Sequence, residues 1–174
     1  KQEPELELDI YAMHGKAWSY LKMREYEEAI KQFERLRSFE GKNPIMDSVL
    51  FGEAEAWERI EDFEAASKMY GMLLEDFPES KLAPEAYLKR GEVLYQLGEY
   101  EDMMEMLQEG VRRFPASEYT DDMRYNMGWV YFKLGRFNQA IEEFRTIIKE
   151  SDNDFYFISS YCRLADVYFR MNEF

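Results

Sequence analysis

Apolar residues recur along this chain at three- and four-residue intervals, the spacing that lines one face of an α-helix. The pattern is plain in APEAYLKRGEVLYQL and again in EYEDMMEMLQEGVRRF, with a short stretch containing Gly98 between them. Pro78 and Pro115 follow Phe77 and Phe114, where a residue without a backbone N–H stops the second helix of a pair. Ser80 and Ser117 stand where the following helix wants an N-cap, and Asp121 and Asp122 suit the positive end of that helix. No alternation of period two runs long enough to make a strand. The pattern predicts nine helices, five of them first members of a pair and four of them second members.

The helical pattern itself repeats. REYEEAIKQF, EDFEAASKMY, GEYEDMMEML and GRFNQAIEEF align, and their aromatic residues Tyr26, Phe63, Tyr100 and Phe137 follow one another at steps of 37 residues. The same step carries small residues at Ala17, Ala54, Gly91, Gly128 and Ala165. It also carries large apolar residues at Tyr20, Trp57, Leu94, Tyr131 and Tyr168, and a further column at Phe33, Tyr70, Leu107 and Phe144. Four columns agreeing over this length define a tandem array of units at about 7–43, 44–80, 81–117 and 118–154, with a partial unit at 155–174. One more step from Phe137 reaches Phe174, so the sequence reads as part of a longer chain that breaks off where a fifth second helix would begin.

These columns resemble the tetratricopeptide repeat, whose signature has a small residue in the first helix, an aromatic three positions on, then Gly-x-Tyr, Ala, an aromatic and a Pro. Gly91, Leu94, Gly98, Tyr100, Leu107 and Pro115 occupy those places in the third unit, as do Gly128, Tyr131, Gly135, Phe137, Ala140 and Phe144 in the fourth. The resemblance implies an all-α fold, a right-handed superhelical solenoid of helix pairs, and it covers nearly the whole chain. The family's unit is shorter, roughly 34 residues, and the extra residues here, such as Lys81, Leu82 and Ala83, are expected to lengthen the first helix by about one turn. This long form, with the junctions FPES and FPAS, resembles bacterial envelope repeat proteins such as outer-membrane assembly lipoproteins and Tol-Pal-associated periplasmic factors. That resemblance implies a bacterial origin and favours the periplasm or envelope over the cytoplasm. Met103 stands in place of the small alanine, and Gly41 and Asp152 in place of the proline, so the outer junctions are expected to be looser than the central ones.

Composition sharpens this picture. Apolar residues make up 46% of the chain, enough for a substantial core, and 13 Tyr, 13 Phe and 3 Trp need either an interior or a binding surface to hide them. The formal net charge is −14, and a field of that sign disfavours nucleic acid and anionic membrane surfaces as partners. It suits a basic or amphipathic protein segment, or serves only to solvate the surface. Cys162 is the single cysteine, so no disulfide forms within the chain. No apolar run approaches the roughly 20 residues of a membrane span. The opening block KQEPELELD does not resemble a signal peptide and reads as a frayed entry to the first helix.

Catalytic and metal-binding chemistry find little support. His14 is the only histidine, so neither the usual zinc site nor a Ser-His-Asp or Cys-His arrangement can be assembled without drawing on Ser159 or Cys162 four repeats away. No glycine-rich phosphate loop, nucleotide fingerprint or calcium loop occurs, and no cofactor is expected. Neighbouring acids such as Glu27 with Glu28 and Glu142 with Glu143 point in different directions around their helices and read as solvated faces. Met103, Met104 and Met106 read either as core filling or as an adaptable surface.

The helix DDMRYNMGWVYFKL is apolar nearly all round: besides the packing residues Met127, Gly128, Tyr131 and Leu134, it carries Tyr125, Trp129 and Phe132 on a second stripe. The 37-residue step carries that stripe to His14, Trp18 and Leu21, to Phe51, Glu55 and Glu58, to Leu88, Glu92 and Tyr95, and to Cys162, Asp166 and Phe169. Proteins of the resembled family bind peptides or helices along an inner groove. The resemblance therefore implies a protein-binding scaffold, with Trp18, Phe51, Glu55, Glu58, Leu88, Glu92, Tyr95, Tyr125, Trp129, Phe132 and Phe169 as partner-binding residues. Burial of part of this stripe against neighbouring units is the competing explanation. The chaperone-binding members grip a terminal carboxylate with Lys and Asn, where this chain has His14 and Trp18, so that ligand is disfavoured. Two other roles stay open: a self-assembly module stacking through its terminal repeats, and a regulatory segment of a larger protein. Leu164, Ala165, Val167, Tyr168 and Met171 lack the second helix that would cover them, and self-association through this end is expected.

Overall fold

In the computed structural model, residues 3–39 and 43–172 are described, the side chains of 3–7 excepted. About four-fifths of these residues are α-helix and none is strand. The helices are α1 (Glu3–Lys22), α2 (Tyr26–Arg37), α3 (Met46–Arg59), α4 (Phe63–Asp76), α5 (Ala83–Leu97), α6 (Tyr100–Arg113), α7 (Thr120–Lys133), α8 (Phe137–Glu150) and α9 (Asp154–Asn172). Nine helices in alternating first and second roles are what the periodicity predicts. The expectations attached to Gly41 and Phe174 lie outside the described residues.

The chain divides into two compact units, 1–98 with α1 to α5 and 99–174 with α6 to α9. Within each, every helix packs on the next in sequence, and first helices also meet across a pair, α1 with α3 and α7 with α9. The packing columns are the core. Ala17, Ala54, Gly91 and Gly128 are buried, and so are Phe33, Tyr70, Leu107 and Phe144. At Gly128 the reason for the small column is direct, since a Cβ there would come within 2.8 Å of the Phe144 ring; outside the column, a Cβ at Gly52 would come within 2.4 Å of the Phe33 ring of the preceding pair. Met103 and Met104 are buried, so in these two the sulfur side chains fill the core rather than present a surface.

The turn inside each pair uses one left-handed residue, which lets the chain reverse in two or three residues. Gly98 and Gly135 supply it at φ 78° and 71°, while Arg24 and Glu61 stand at the same step with φ 64° and 63°. The connection between pairs differs from expectation. Ser80 and Ser117 are not N-caps. Ser80 Oγ accepts from the Leu82 amide at 3.1 Å and donates to Asp47 at 2.6 Å, and Ser117 Oγ accepts from the Tyr119 amide at 3.2 Å. Lys81 and Leu82 are therefore part of a turn, and α5 begins only at Ala83, so the extra residues lengthen the junction more than the helix. The physical reason is the serine hydroxyl, which holds the amide two residues on in a turn and competes with helix initiation there. A similar clip closes the last full pair, where Ser151 donates to Asp121 at 2.5 Å.

Candidate binding surfaces

The stripe of expected binding residues splits into two kinds of position. Its leading column, one residue per first helix, packs: His14 Nε2 lies 2.9 Å from Ser48 Oγ on α3, Phe51 is 4% exposed and meets Tyr70 edge-on at 5.6 Å, and Leu88 is 6% exposed. Tyr125 lies 5.9 Å from Tyr156 of α9 and 5.8 Å from Phe144. Phe51 and Leu88 are thus core residues and offer a partner no surface. Burial, which the sequence left as an alternative, holds for them, and Phe51 meets the Tyr70 ring of its own pair.

The other members are half-buried and keep part of their surface open. In 1–98, Trp18 donates its indole N–H to His14 Nε2 at 2.8 Å and lies edge-on to Phe33 at 5.9 Å. Burial lowers the pKa of His14, although Asp47 nearby works the other way. Glu55 and Glu58 sit on α3, and Lys89 and Glu92 on α5. Lys89 Nζ is 3.0 Å from Glu92 and 4.0 Å from Glu58, whose other oxygen accepts from the Tyr70 hydroxyl at 3.2 Å. Burial raises the pKa of Glu55, with Glu85 and Glu58 adding to the rise and Lys89 opposing it. For Lys89 burial works against the charge, yet the Glu92 hydrogen bond and the surrounding carboxylates raise its pKa overall. The result is an acid-rich patch with one cation held inside it, and Tyr95 stands half-buried on α5.

In 99–174 the surface is aromatic. Trp129 and Phe132 lie 5.7 Å apart on α7, and Phe137 of α8 is 6.1 Å beyond Phe132. Arg163 of α9 lies over the Trp129 ring at 4.7 Å from its centroid, donates to the Tyr125 hydroxyl at 3.2 Å, and is held by Asp166 at 3.2 Å. A guanidinium laid on an indole is worth about 0.5–1 kcal/mol at an exposed site, enough to fix the ring while leaving part of it open. Sequence reasoning missed Arg163, Lys89 and Phe137, because a stripe carried by a fixed step cannot register residues from the neighbouring helix. Phe169, on α9, is 67% exposed.

Among the described residues no cluster of three or more His, Cys, Asp or Glu side chains is arranged to hold a metal ion, and no helix is long and apolar enough to cross a membrane. Models of the tetratricopeptide repeat match residues 14–66, 51–118 and 123–154. The chain belongs to the tetratricopeptide repeat family. Among solved structures it is similar to MamA 41-end from Desulfovibrio magneticus RS-1, with TM-score 0.74, 17% identity, and 94% of this chain and 85% of that one covered. A second MamA structure matches with TM-score 0.75 and 18% identity over 91% of this chain and 80% of that one. YrrB, described as a TPR protein with an unusual peptide-binding site, matches with TM-score 0.70 and 15% identity over 92% and 76%. At these identities the likeness establishes the fold. A comparison with curated protein sequences gives no match. The tetratricopeptide repeat is a scaffold for protein–protein interaction, and that general role is this chain's as a member.

Proposed function

We propose that this tetratricopeptide protein binds basic or amphipathic segments of a partner protein on the open members of its first-helix stripe, within each of its two units, and that it is not an enzyme. Two anchoring surfaces support this. Trp129 and Phe132, with Tyr125 and Arg163 behind them, offer ring area that costs little entropy to order. Glu55, Glu58, Glu92 and Tyr95, with Trp18 on α1, offer a carboxylate-rich face in which burial opposes the ionisation of Glu55. A Lys or Arg from a partner would relieve that opposition. The observation that carries the proposal is that these side chains stay half-open although their stripe-mates Phe51 and Leu88 are buried. Self-assembly, the alternative role, involves a different surface and is taken up below.

The test is selection of binding peptides from a displayed library, followed by affinity measurement for the wild type, Trp129→Ala with Phe132→Ala, and Glu55→Gln with Glu92→Gln. Selected peptides are expected to be rich in Lys or Arg with an apolar face. The aromatic pair should weaken binding at least about tenfold, in line with loss of a hot spot. The acid pair should weaken it less and remove most of the salt dependence. Peptides that bind both variants like the wild type would overturn the assignment.

A further inference from the structure

The leading column of the first helices, His14, Phe51, Leu88 and Tyr125, packs against other elements, but its fifth member, Cys162 on α9, is exposed. It does not stand alone. Phe155, Ile158, Cys162, Ala165 and Phe169 recur at intervals of three, four, three and four, which makes a continuous seam on one side of a helix. Phe155 is 65%, Ile158 60% and Phe169 67% exposed. The opposite side of α9 does the packing, through Tyr156, Ser160 and Val167. With Phe157 and Tyr161 beside it, the seam exposes on the order of 600 Å² of mainly apolar surface, taking about 150–250 Å² for a whole aromatic side chain. That is the upper end of the roughly 300–600 Å² found on an ordinary monomer, and it approaches the ~800 Å² that each partner contributes to a stable interface.

We propose that this seam is the interface with a second copy of the chain, α9 packed antiparallel on α9 with the two-fold axis at Cys162. The outer rings of the seam are symmetric about that residue, since Phe155 lies seven positions before it and Phe169 seven after. Antiparallel pairing sets Phe155 of each copy opposite Phe169 of the other. It also opposes the two helix dipoles. Because both copies use the same patch, the contact closes at a dimer. Each copy carries a formal charge of −14, so long-range repulsion opposes the contact and added salt strengthens it. The opposite salt response separates this surface from the proposed basic-partner site, which salt weakens.

The experiment is light scattering across a concentration series, with cross-linking of the sole cysteine by a short bismaleimide. A concentration-dependent dimer is expected, tighter at about 500 mM than at about 50 mM salt, and trapped covalently through Cys162. Phe169→Asp and Phe155→Asp should each weaken it by at least about tenfold while leaving the thermal unfolding of the monomer unchanged, since both rings are already largely in water. A monomeric mass throughout overturns the proposal, and so does a dimer that neither cross-links at Cys162 nor responds to Phe169→Asp.

Discussion

Helices α7 and α9 carry the same columns in the same register, yet only in α7 are those columns buried. In α7, Gly128 lies under the Phe144 ring of α8, and Tyr131 is 4% exposed with its hydroxyl accepting from Gln108 on the preceding second helix at 2.9 Å. In α9 the same tether is present, from Arg145 to the Tyr168 hydroxyl at 2.7 Å, but Tyr168 is 37% exposed and Ala165 is open. A column residue therefore specifies a surface that fits a helix, and burial follows only where a helix is there to cover it. Val167, expected to belong to the uncovered set, is buried, on a helix that packs on α7 and α8.

The sharpest test of this contrast removes the covering ring. Phe144→Ala, at a fully buried position, should cost about 3–5 kcal/mol. Tyr168→Ala, one helix on, should cost less than about 1 kcal/mol, and chemical denaturation of the two variants measures the difference. Equal losses would break the comparison. Next in size is overpacking of the small column: Gly128→Leu should cost about 1–3 kcal/mol, because even its Cβ would lie 2.8 Å from Phe144. Ala165→Leu should fall within about 0.5 kcal/mol of the wild type, and a comparable loss there would mean that α9 is covered after all.

A smaller effect compares the stripe across the two units, since the column holding Trp129 in α7 holds Glu55 in α3. The folded-state pKa of Glu55 is raised, first by burial and then by Glu85 and Glu58. Its contribution to stability is therefore fully present below the unfolded value of about 4.3 and is lost as pH rises through the higher folded value. Glu55→Gln should raise the melting temperature near neutral pH, with the gain shrinking toward pH ~4. The same variant should bind a basic partner more weakly, a trade between stability and function. A gain that grows on acidification would reverse the sign and remove Glu55 from the site. Smallest is the turn column: Arg24→Gly and Glu61→Gly place glycine at φ 64° and 63°, as Gly98 and Gly135 do at this step, and each should stabilise by up to about 1 kcal/mol. Thermal melts resolve this.

Much of the fold was legible because each column is local: Tyr26 to Phe33 or Phe137 to Phe144 spans two helical turns, and the same contact recurs in every unit. The site was legible only in part. Trp129, Phe132, Glu55, Glu58 and Glu92 stay open as the stripe suggested, while Phe51 and Leu88 lie inside. A step of 37 residues assigns one role to a column, but the depth of each member depends on which neighbour faces it. Ser80 and Ser117 went astray for a related reason, since a serine before a helix serves equally as an N-cap or as a turn acceptor, and the register of the turn chooses.

By itself the sequence determined the helices, their pairing and the identity of the residues that meet within a pair. These follow from hydrophobic period and side-chain size, both written along a few consecutive turns. Only the tertiary structure decided that Arg163 lies on Trp129, that Lys89 sits among Glu58 and Glu92, and that the seam from Phe155 to Phe169 remains in water. Those outcomes depend on side chains brought together from different helices and on which faces the packing leaves uncovered, and no local period encodes either.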